Sequence, residues 1–159
     1  MDITYKKDDF SFQYRVSACI FNNDMTKVLV FQAKGREVHL LVGGKVHEYE
    51  ESIDALKREV KEELGWSLID ISLLAISEEL VHDKGLNHHQ INLIYKAIYT
   101  GDIKEQEFHG LEGEWIRFKW IDVEKIENYK IYPTKIKEII KDPNKMYHIV
   151  DNLIKNETL

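Results

Sequence analysis

The sequence predicts a mixed α/β fold in which a mixed β-sheet is covered by helices on both faces. Three observations predict it: segments rich in β-branched and aromatic residues recur along the chain, one amphipathic helix interrupts them, and the pattern turns helical after Asp122. With 159 residues, 43% of them hydrophobic, the chain can bury a core of ordinary size. We therefore expect residues 1–159 to form one domain.

The predicted elements follow in order along the chain. Strands are expected at residues 12–21, 27–32, 38–42, 71–81, 90–99 and 115–121. The Asn-Asn-Asp sequence at residues 22–24 predicts a hairpin turn between the first two strands. Pro133 suits the first turn of a later helix whose apolar stripe includes Ile136, and Pro143 separates that helix from a last one ending near Lys155.

The amphipathic helix is predicted at residues 51–64. Its apolar positions recur at intervals of three and four residues, at Ile53, Leu56, Val60 and Leu64. This spacing gives one apolar stripe, so we expect that stripe to pack against the core.

Three glutamates, Glu59, Glu62 and Glu63, project together beside the apolar stripe. Arg58 lies four residues before Glu62, whereas Glu59 and Glu63 have no Lys or Arg three or four positions away. A like-charged pair at this spacing costs a helix about 0.2–0.5 kcal/mol. A divalent cation would reverse the repulsion, and carboxylate oxygens are the ligands that Mg²⁺ or Mn²⁺ prefers.

The chain enters this helix through two consecutive glycines, Gly43 and Gly44. Glycines let the backbone approach a ligand closely, and the start of a helix offers unpaired N–H groups to phosphate. Both glycines are therefore candidate substrate-binding residues. Glycine turn, helix and carboxylate face together predict a cradle for a metal ion and a diphosphate.

The segment from Gly44 to Trp66 resembles the signature box of the Nudix hydrolases. The fixed positions of that box are filled here by Gly44, Glu50, Arg58, Glu59, Glu62, Glu63 and Gly65. With ordinary residue frequencies, a chance match in a chain of this length has odds on the order of one in a million. Two positions depart from the family pattern: Trp66 replaces the usual aliphatic residue, and Val42 stands where many members have Pro.

The resemblance implies an α/β/α sandwich with the box as a loop, helix and loop beside the sheet. As a hypothesis, Glu59 and Glu63 coordinate the principal Mg²⁺, and Glu62 is a further ligand or the general base. The carbonyl of Gly43 completes the site in relatives, and we expect the same here.

The other charged residues of the box, Arg58 and Glu50, are implied to form an ion pair that fixes the loop against the helix. Nudix enzymes also often take an extra carboxylate, as base or ligand, from a loop outside the box. Glu112 and Glu114 are the nearest candidates by position, in an acidic segment that a solvated loop would also explain.

The implied reaction is Mg²⁺-dependent hydrolysis of a nucleoside diphosphate derivative by metal-activated water. The derivative could be a nucleotide, a nucleotide sugar, ADP-ribose or a dinucleotide, because the selecting residues lie outside the box. Two alternatives stay open. One is a catalytically silent Nudix-fold module that senses nucleotides, and the other is a structural or interaction unit that binds metal for stability.

Charge and cysteine content limit the partners of the protein. The net charge of −6 and the pI near 5.7 argue against an extended nucleic-acid or membrane surface. The only cysteine, Cys19, lies in an apolar run, which indicates a buried thiol and a reducing compartment. Because the sequence shows no signal peptide and no long apolar span, we expect a cytoplasmic protein. The resemblance leaves a homodimer open.

Other polar and aromatic residues have ordinary explanations, and we assign none of them a role. His88 and His89 could contact the substrate or a base, and His47 could face a phosphate, but a surface loop explains all three equally. A cluster at a strand end, explicable as a turn, contains Glu78, Glu79, His82 and Asp83. Aromatics that could stack on a base, but that more often belong to a core, are Trp115, Phe118, Trp120 and Tyr132.

Overall fold

The computed structural model describes residues 1–154, which contain nine strands in one mixed sheet. The strands are β1 (Thr4–Lys7), β2 (Phe10–Phe21), β3 (Lys27–Ala33), β4 (Val42–Lys45), β5 (Ile69–Asp83), β6 (Leu86–Ile98), β7 (Phe108–Gly110), β8 (Gly113–Asp122) and β9 (Tyr147–Asn152). The helices are α1 (Ser52–Leu64), α2 (Ile136–Lys141) and a 3-10 helix at Val123–Asn128.

Strand β2 organises the sheet, whose order is β7-β8-β3-β2-β6-β5-β9. Parallel pairing joins β2 to β6 and β5 to β9, and the other pairs are antiparallel. One edge of β2 is occupied by β6 over its whole length. The other edge is shared by β1, β4 and β3 in turn, so the sheet divides where β4 gives way to β3.

Helices cover both faces of the sheet, as the sequence predicts. On β2, Val16, Ala18 and Ile20 face the core shared with α1, while Cys19 and Phe21 face the core shared with α2 and the 3-10 helix. This alternation is the period of two expected for a strand buried on both faces. The predicted mixed α/β fold is confirmed, and so is the buried thiol, whose pKa burial raises.

Helix α1 forms where the apolar period predicts it. Leu56, Val60 and Leu64 are buried, and each such side chain contributes roughly 1.5–3 kcal/mol through burial. The helix ends at Gly65, which adopts a left-handed conformation with φ of 73° and donates its N–H to the Lys61 carbonyl at 3.0 Å.

Two predicted elements are wrong. The strand expected at residues 38–42 instead begins at Val42 and runs through both glycines to Lys45, because this segment pairs with β2. The expected last helix is replaced by β9, which adds to the edge of β5. Lys155, where that helix was expected to end, lies outside the described residues.

Neither α-helix in residues 1–154 has the length and apolar character needed to cross a membrane.

Candidate active site at the glycine turn and helix α1

The carboxylate of Glu59 lies directly against the backbone of Gly44. A Cβ added to Gly44 would stand only 2.1 Å from Glu59 Cδ and 2.2 and 2.4 Å from its two carboxylate oxygens. Any side chain at this position would therefore occupy the space that the carboxylate fills. Because Gly44 has no side chain, the carboxylate of Glu59, a candidate metal ligand on α1, can reach the turn that precedes the helix.

Gly43 is needed for a different reason, which is the close approach of β4 to β2. A Cβ there would stand 2.1 Å from the Val16 carbonyl oxygen and 2.6 Å from Ser17 Cα. These are backbone atoms of β2, with which β4 pairs at this point. Because backbone cannot turn aside as a side chain can, glycine is what allows β4 to approach β2.

Arg58 links the turn to the helix through five hydrogen bonds. Its Nε and Nη2 donate to the two carboxylate oxygens of Glu50 at 2.8 and 3.0 Å, and Nη2 also donates to the Lys45 carbonyl at 3.0 Å. Its Nη1 donates to Glu59 at 2.8 Å and to Glu62 at 3.3 Å. One guanidinium thus holds the loop carboxylate and two glutamates of the helix.

The contact with Arg58 changes one expectation for Glu59. The sequence spacing left Glu59 without a cation at three or four residues, yet the neighbouring Arg58 reaches it. The reason is the length of the arginine side chain, which lets adjacent helical residues meet although their Cβ atoms diverge. Of the pair at i and i+4, only Glu63 lacks such a contact within residues 1–154.

The ion pair with Arg58 predicts an acid-dependent contribution of Glu50 to stability. Hydrogen bonds from Arg58 outweigh burial and, with the N–H of His47, lower the pKa of Glu50 from 4.5 to about 2. A carboxylate whose folded pKa is depressed stabilises the fold above the unfolded pKa, and this contribution is lost as the pH falls from about 4.5 to 2. We expect Glu50→Gln to lower the free energy of unfolding by about 1–2 kcal/mol at pH 6 and by almost nothing at pH 2.

Urea unfolding of both proteins between pH 2 and 6 measures this difference. Glu48→Gln is the matched control, because Glu48 is an exposed glutamate two residues earlier in the same loop. A gap between wild type and Glu50→Gln that stays constant down to pH 2 would contradict the prediction.

Glu63 is a buried carboxylate with an unpaired oxygen. The residue is 7% exposed, and its Oε2 has no hydrogen-bond partner in the described part of the chain. Burial, followed by the negative charges of Glu59 and Glu112, raises the pKa of Glu63 to about 8, and the positive charge of Arg15 opposes this shift. Leaving a buried charge unpaired is costly, so this position favours either a proton or a cation.

The loop at residues 110–113 brings a further carboxylate to Glu63. The N–H of Leu111 donates to the Glu63 carbonyl at 2.7 Å, and a Cβ on Gly110 would stand 2.3 Å from the same oxygen. Glu112 and Glu63 line one crevice. Of the two loop candidates from the sequence, the structure places Glu112 beside α1, whereas Glu114 points from the exposed start of β8.

The residues of this site fit a divalent cation. Within residues 1–154, no three acidic, histidine or cysteine side chains already converge closely enough to hold a metal ion. The unpaired, buried oxygen of Glu63 is nevertheless a position that a cation would stabilise. Carboxylates together with the Gly43 carbonyl form a set of hard oxygen donors, which suits Mg²⁺ or Mn²⁺.

Trp66, the departure at the end of the box, is part of an aromatic stack. Its ring lies 3.8 Å from Tyr99 with an interplanar angle of 11°, and 6.1 Å from Trp120 with an angle of 14°. A larger side chain than usual is accommodated because aromatic partners on the sheet receive it.

The remaining polar and aromatic residues singled out in the sequence have structural partners or exposed positions. His47 contacts Asp2 at 3.2 Å, and His89 packs edge-on against Phe12. Phe118 and Trp120 are core residues, whereas Trp115 is 53% exposed. Glu78, His82 and Asp83 are paired at the surface with His148, Asn87 and Arg36 respectively.

Sequence reasoning assigned no role to three polar residues on the face of the sheet opposite α1. Glu79 is completely buried there, and Tyr132 donates a hydrogen bond to it at 3.0 Å. Arg15 lies on β2 and belongs to no motif in the sequence. A charged residue inside an otherwise alternating strand is the signal that could have drawn attention to it.

Comparison with known proteins identifies the family. Residues 11–142 match the family model described as the NUDIX domain. Over 121 residues the chain is 31% identical to an m7GpppN-mRNA hydrolase of Saccharomyces cerevisiae (strain ATCC 204508 / S288c), a match that covers 76% of this chain and 12% of that protein. The chain thus spans only about an eighth of the length of this relative.

Solved structures share the fold. The MutT protein of Bacillus halodurans superposes with a TM-score of 0.66 at 20% identity, covering 88% of this chain and 90% of that one. The NUDIX domain of Shewanella oneidensis NrtR, complexed with ADP ribose, superposes with a TM-score of 0.60 at 17% identity, covering 81% and 84%. The family model spans well over half of the sequence, and the chain therefore belongs to the NUDIX family, whose members are hydrolases that act on pyrophosphate bonds.

Proposed function

We propose that this protein is a Mg²⁺-dependent hydrolase that cleaves the diphosphate linkage of a nucleoside diphosphate derivative. The observation that carries the proposal is the buried, unpaired carboxylate oxygen of Glu63, one helical turn from Glu59, whose carboxylate packs against the backbone of Gly44. Membership of the NUDIX family and the similarity to an m7GpppN-mRNA hydrolase support the same bond as the point of cleavage.

Glu59 and Glu63 would hold the cation, with Glu62 and the Gly43 carbonyl as further oxygen donors. When bound, the cation would neutralise charge on the phosphoryl oxygens and make the attacking water more acidic. Arg58 keeps Glu59 close to the turn, and Glu50 in turn fixes the guanidinium. The chain therefore supplies both the oxygen donors and the braces that orient them.

Glu112 is the residue that we assign to proton transfer. The water oxygen attacks one phosphorus, the bond from that phosphorus to the bridging oxygen breaks, and the Glu112 carboxylate accepts the proton that the water loses. A diphosphate diester such as ADP-ribose would give two phosphate monoesters, whereas a triphosphate would give a monophosphate and pyrophosphate or a diphosphate and phosphate, according to which bond is cleaved. Docking of the 110–113 loop on the Glu63 carbonyl keeps this base beside the proposed metal ligands.

Removal of this base should slow turnover without weakening metal binding. We expect Glu112→Gln to lower kcat by about 10²-fold, because a positioned general base contributes at least that much, while the apparent Kd for Mg²⁺ changes little. Glu114→Gln is the matched control, since it removes one charge two residues away on the same hairpin. Equal losses in both variants, or a large rise in the Mg²⁺ Kd of Glu112→Gln alone, would contradict the assignment.

The direct test of the function is a screen for diphosphate cleavage. The wild-type protein is incubated with nucleoside triphosphates, nucleotide sugars, ADP-ribose, dinucleotides and capped RNA, each with Mg²⁺, Mn²⁺ or EDTA, and products are identified by mass spectrometry. We expect a nucleotide product from at least one class, and no turnover in EDTA. Binding of these compounds with no cleavage in any metal would instead favour a nucleotide-sensing module.

A further inference from the structure

Residues 1–3, called here the clamp segment, pair with the box loop, residues 46–51, which joins β4 to α1. Two backbone hydrogen bonds of 2.8 Å flank an antiparallel bridge between Asp2 and His47. The two bonds run from the Ile3 N–H to the Val46 carbonyl and from the Glu48 N–H to the Met1 carbonyl. The clamp segment therefore lies along the box loop as one strand lies along its neighbour.

The side chain of Asp2 adds two polar contacts to this pairing. Its Oδ2 lies 3.2 Å from Lys45 Nζ, and its Oδ1 lies 3.2 Å from His47 Nε2. Both partners also hold the ion pair of the box through their backbone. The Lys45 carbonyl accepts a hydrogen bond from Arg58 at 3.0 Å, and the His47 N–H donates to the Glu50 carboxylate at 3.0 Å. One carboxylate on the clamp segment thus contacts both residues whose backbone groups hold Arg58 and Glu50.

Tyr49 makes the conformation of the box loop unfavourable. Its φ is 61°, and it occupies the third position of a turn closed by a hydrogen bond of 3.2 Å from the Glu50 N–H to the His47 carbonyl. Glycine is favoured at a position of this kind, and a residue with a Cβ is disfavoured there by roughly fivefold to thirtyfold. Because the Tyr49 side chain is wholly exposed, no packing of its ring within residues 1–154 offsets this cost.

The other non-glycine residues with positive φ have ordinary reasons for it. Asp8 and Asp70 belong to a residue type that tolerates the left-handed region. Met25 packs against the core, and Lys84 lies in the two-residue turn between β5 and β6, where both positions favour positive φ. Tyr49 has none of these reasons, so contacts on either side of the box loop must impose its conformation.

The conformation of the box loop determines where Arg58 lies. Glu50 directly follows Tyr49 and accepts hydrogen bonds from Arg58 at 2.8 and 3.0 Å. Arg58 in turn donates to Glu59, the proposed ligand that packs against Gly44. A change in the φ of Tyr49 would move the Glu50 carboxylate away from the guanidinium, and Glu59 would lose the group that orients it.

We propose that the clamp segment positions the proposed metal site, with Asp2 as its positioning residue. The clamp segment holds the box loop in the conformation that Tyr49 disfavours, and Glu50 and Arg58 transmit that conformation to Glu59. The inference rests on the proposed function, because Glu59 is a ligand only if a metal binds at the glycine turn. Weakening the clamp should lower metal affinity without removing any group that contacts metal, water or substrate.

Titration of Mn²⁺ into the substrate-free protein, followed by the electron paramagnetic resonance of the free ion, tests the inference without turnover. We expect Asp2→Ala to raise the Kd for Mn²⁺ about threefold to tenfold, less than the loss typical of a residue that touches a ligand directly. Asp2→Glu should recover part of the affinity, and kcat at saturating Mg²⁺ should stay close to that of wild type. Asp9→Ala is the matched control, since Asp9 is exposed at the other end of β1 and contacts Asn87.

Replacement of Tyr49 distinguishes positioning from a general loss of stability. Glycine adopts positive φ at no steric cost, so Tyr49→Gly should recover most of the Mn²⁺ affinity lost in Asp2→Ala. Tyr49→Ala removes the same ring but keeps a Cβ, and it should recover none. Recovery in both double variants, or in neither, would overturn the inference. Circular dichroism and Tm establish that each variant is folded.

Exchange of the Arg58 Nε proton, measured by NMR in EDTA, separates this inference from the proposed hydrolysis, because it requires neither metal nor turnover. We expect Asp2→Ala to speed this exchange and added Tyr49→Gly to slow it again. Cleavage in the substrate screen, with unchanged exchange and Mn²⁺ Kd in Asp2→Ala, would overturn the inference and leave the hydrolase proposal intact. Faster exchange in Asp2→Ala, reversed by Tyr49→Gly, in a protein that cleaves no compound would support the clamp and overturn the hydrolase proposal.

Discussion

Glu63→Gln is expected to abolish Mg²⁺-dependent hydrolysis and, in the same protein, to stabilise the metal-free fold at pH 8. The loss of activity follows because a carboxamide is a poor ligand for Mg²⁺, and several kcal/mol of transition-state stabilisation by the metal correspond to a loss of about 10³-fold or more. The gain in stability follows because the buried Glu63 side chain has an oxygen with no partner.

The raised pKa of Glu63 determines whether the stability of the metal-free wild-type fold rises or falls with pH. The pKa of Glu63 is raised from 4.5 to about 8, so below pH 4.5 the carboxyl is neutral in both states and carries no penalty. Between pH 4.5 and 8 the unfolded chain releases its proton while the folded protein retains it, and stability falls. We expect wild type to lose on the order of 3 kcal/mol across this range through Glu63, a loss absent from Glu63→Gln.

Chemical denaturation in EDTA at pH 5, 6, 7 and 8 measures how the free energy of unfolding changes with pH in wild type and in Glu63→Gln. Addition of Mg²⁺ at pH 8 should raise the Tm of wild type and leave that of Glu63→Gln almost unchanged. Asp54→Asn provides the control, since it removes one charge from the exposed first turn of the same helix. Parallel slopes for wild type and Glu63→Gln would contradict the burial argument, whatever happens to activity.

The box could be predicted from the sequence because its constraints are local. The stripe of α1 lies within one helix, and the predicted bounds 51–64 differ from the structure only at the first residue. The contact between Arg58 and Glu50 was implied by the box pattern, and the structure contains it. Short separations in sequence leave little conformational freedom, so residue spacing and helical geometry suffice.

Features that depend on distant partners could not be predicted in this way. Strand β9 has buried Ile149 and Asp151 at alternate positions, but only its pairing with β5 decides between strand and helix for so short a segment. Likewise, nothing in the local sequence around Glu79 brings Tyr132 to it across 53 residues. The contact between Tyr132 and the Glu79 carboxylate therefore became visible only in three dimensions.

The two glycines of the turn should fail in opposite ways when each is replaced by alanine. In Gly44→Ala the new Cβ meets the end of the Glu59 side chain, at 2.1 Å from Cδ, and a flexible side chain can swing away. We expect the free energy of unfolding to change by less than about 1 kcal/mol. Activity should nevertheless fall about 10³-fold, because Glu59 no longer lies against the turn and the proposed metal loses a ligand.

In Gly43→Ala the Cβ meets the backbone of β2, at 2.1 Å from the Val16 carbonyl oxygen, and no side-chain rotation relieves that clash. We expect the free energy of unfolding to fall by about 4 kcal/mol or more, a loss large enough to indicate disruption of the packed fold.

Urea denaturation, the apparent Kd for Mg²⁺ and kcat/KM measured on both variants distinguish the two mechanisms. Glu59→Asp added to Gly44→Ala should recover part of the activity, since the shorter side chain withdraws its carboxylate by one methylene from the new methyl group. If Gly44→Ala kept wild-type Mg²⁺ affinity and turnover, Glu59 could not be the ligand that the turn presents, and the site would have to be built around Glu63 and Glu112 instead.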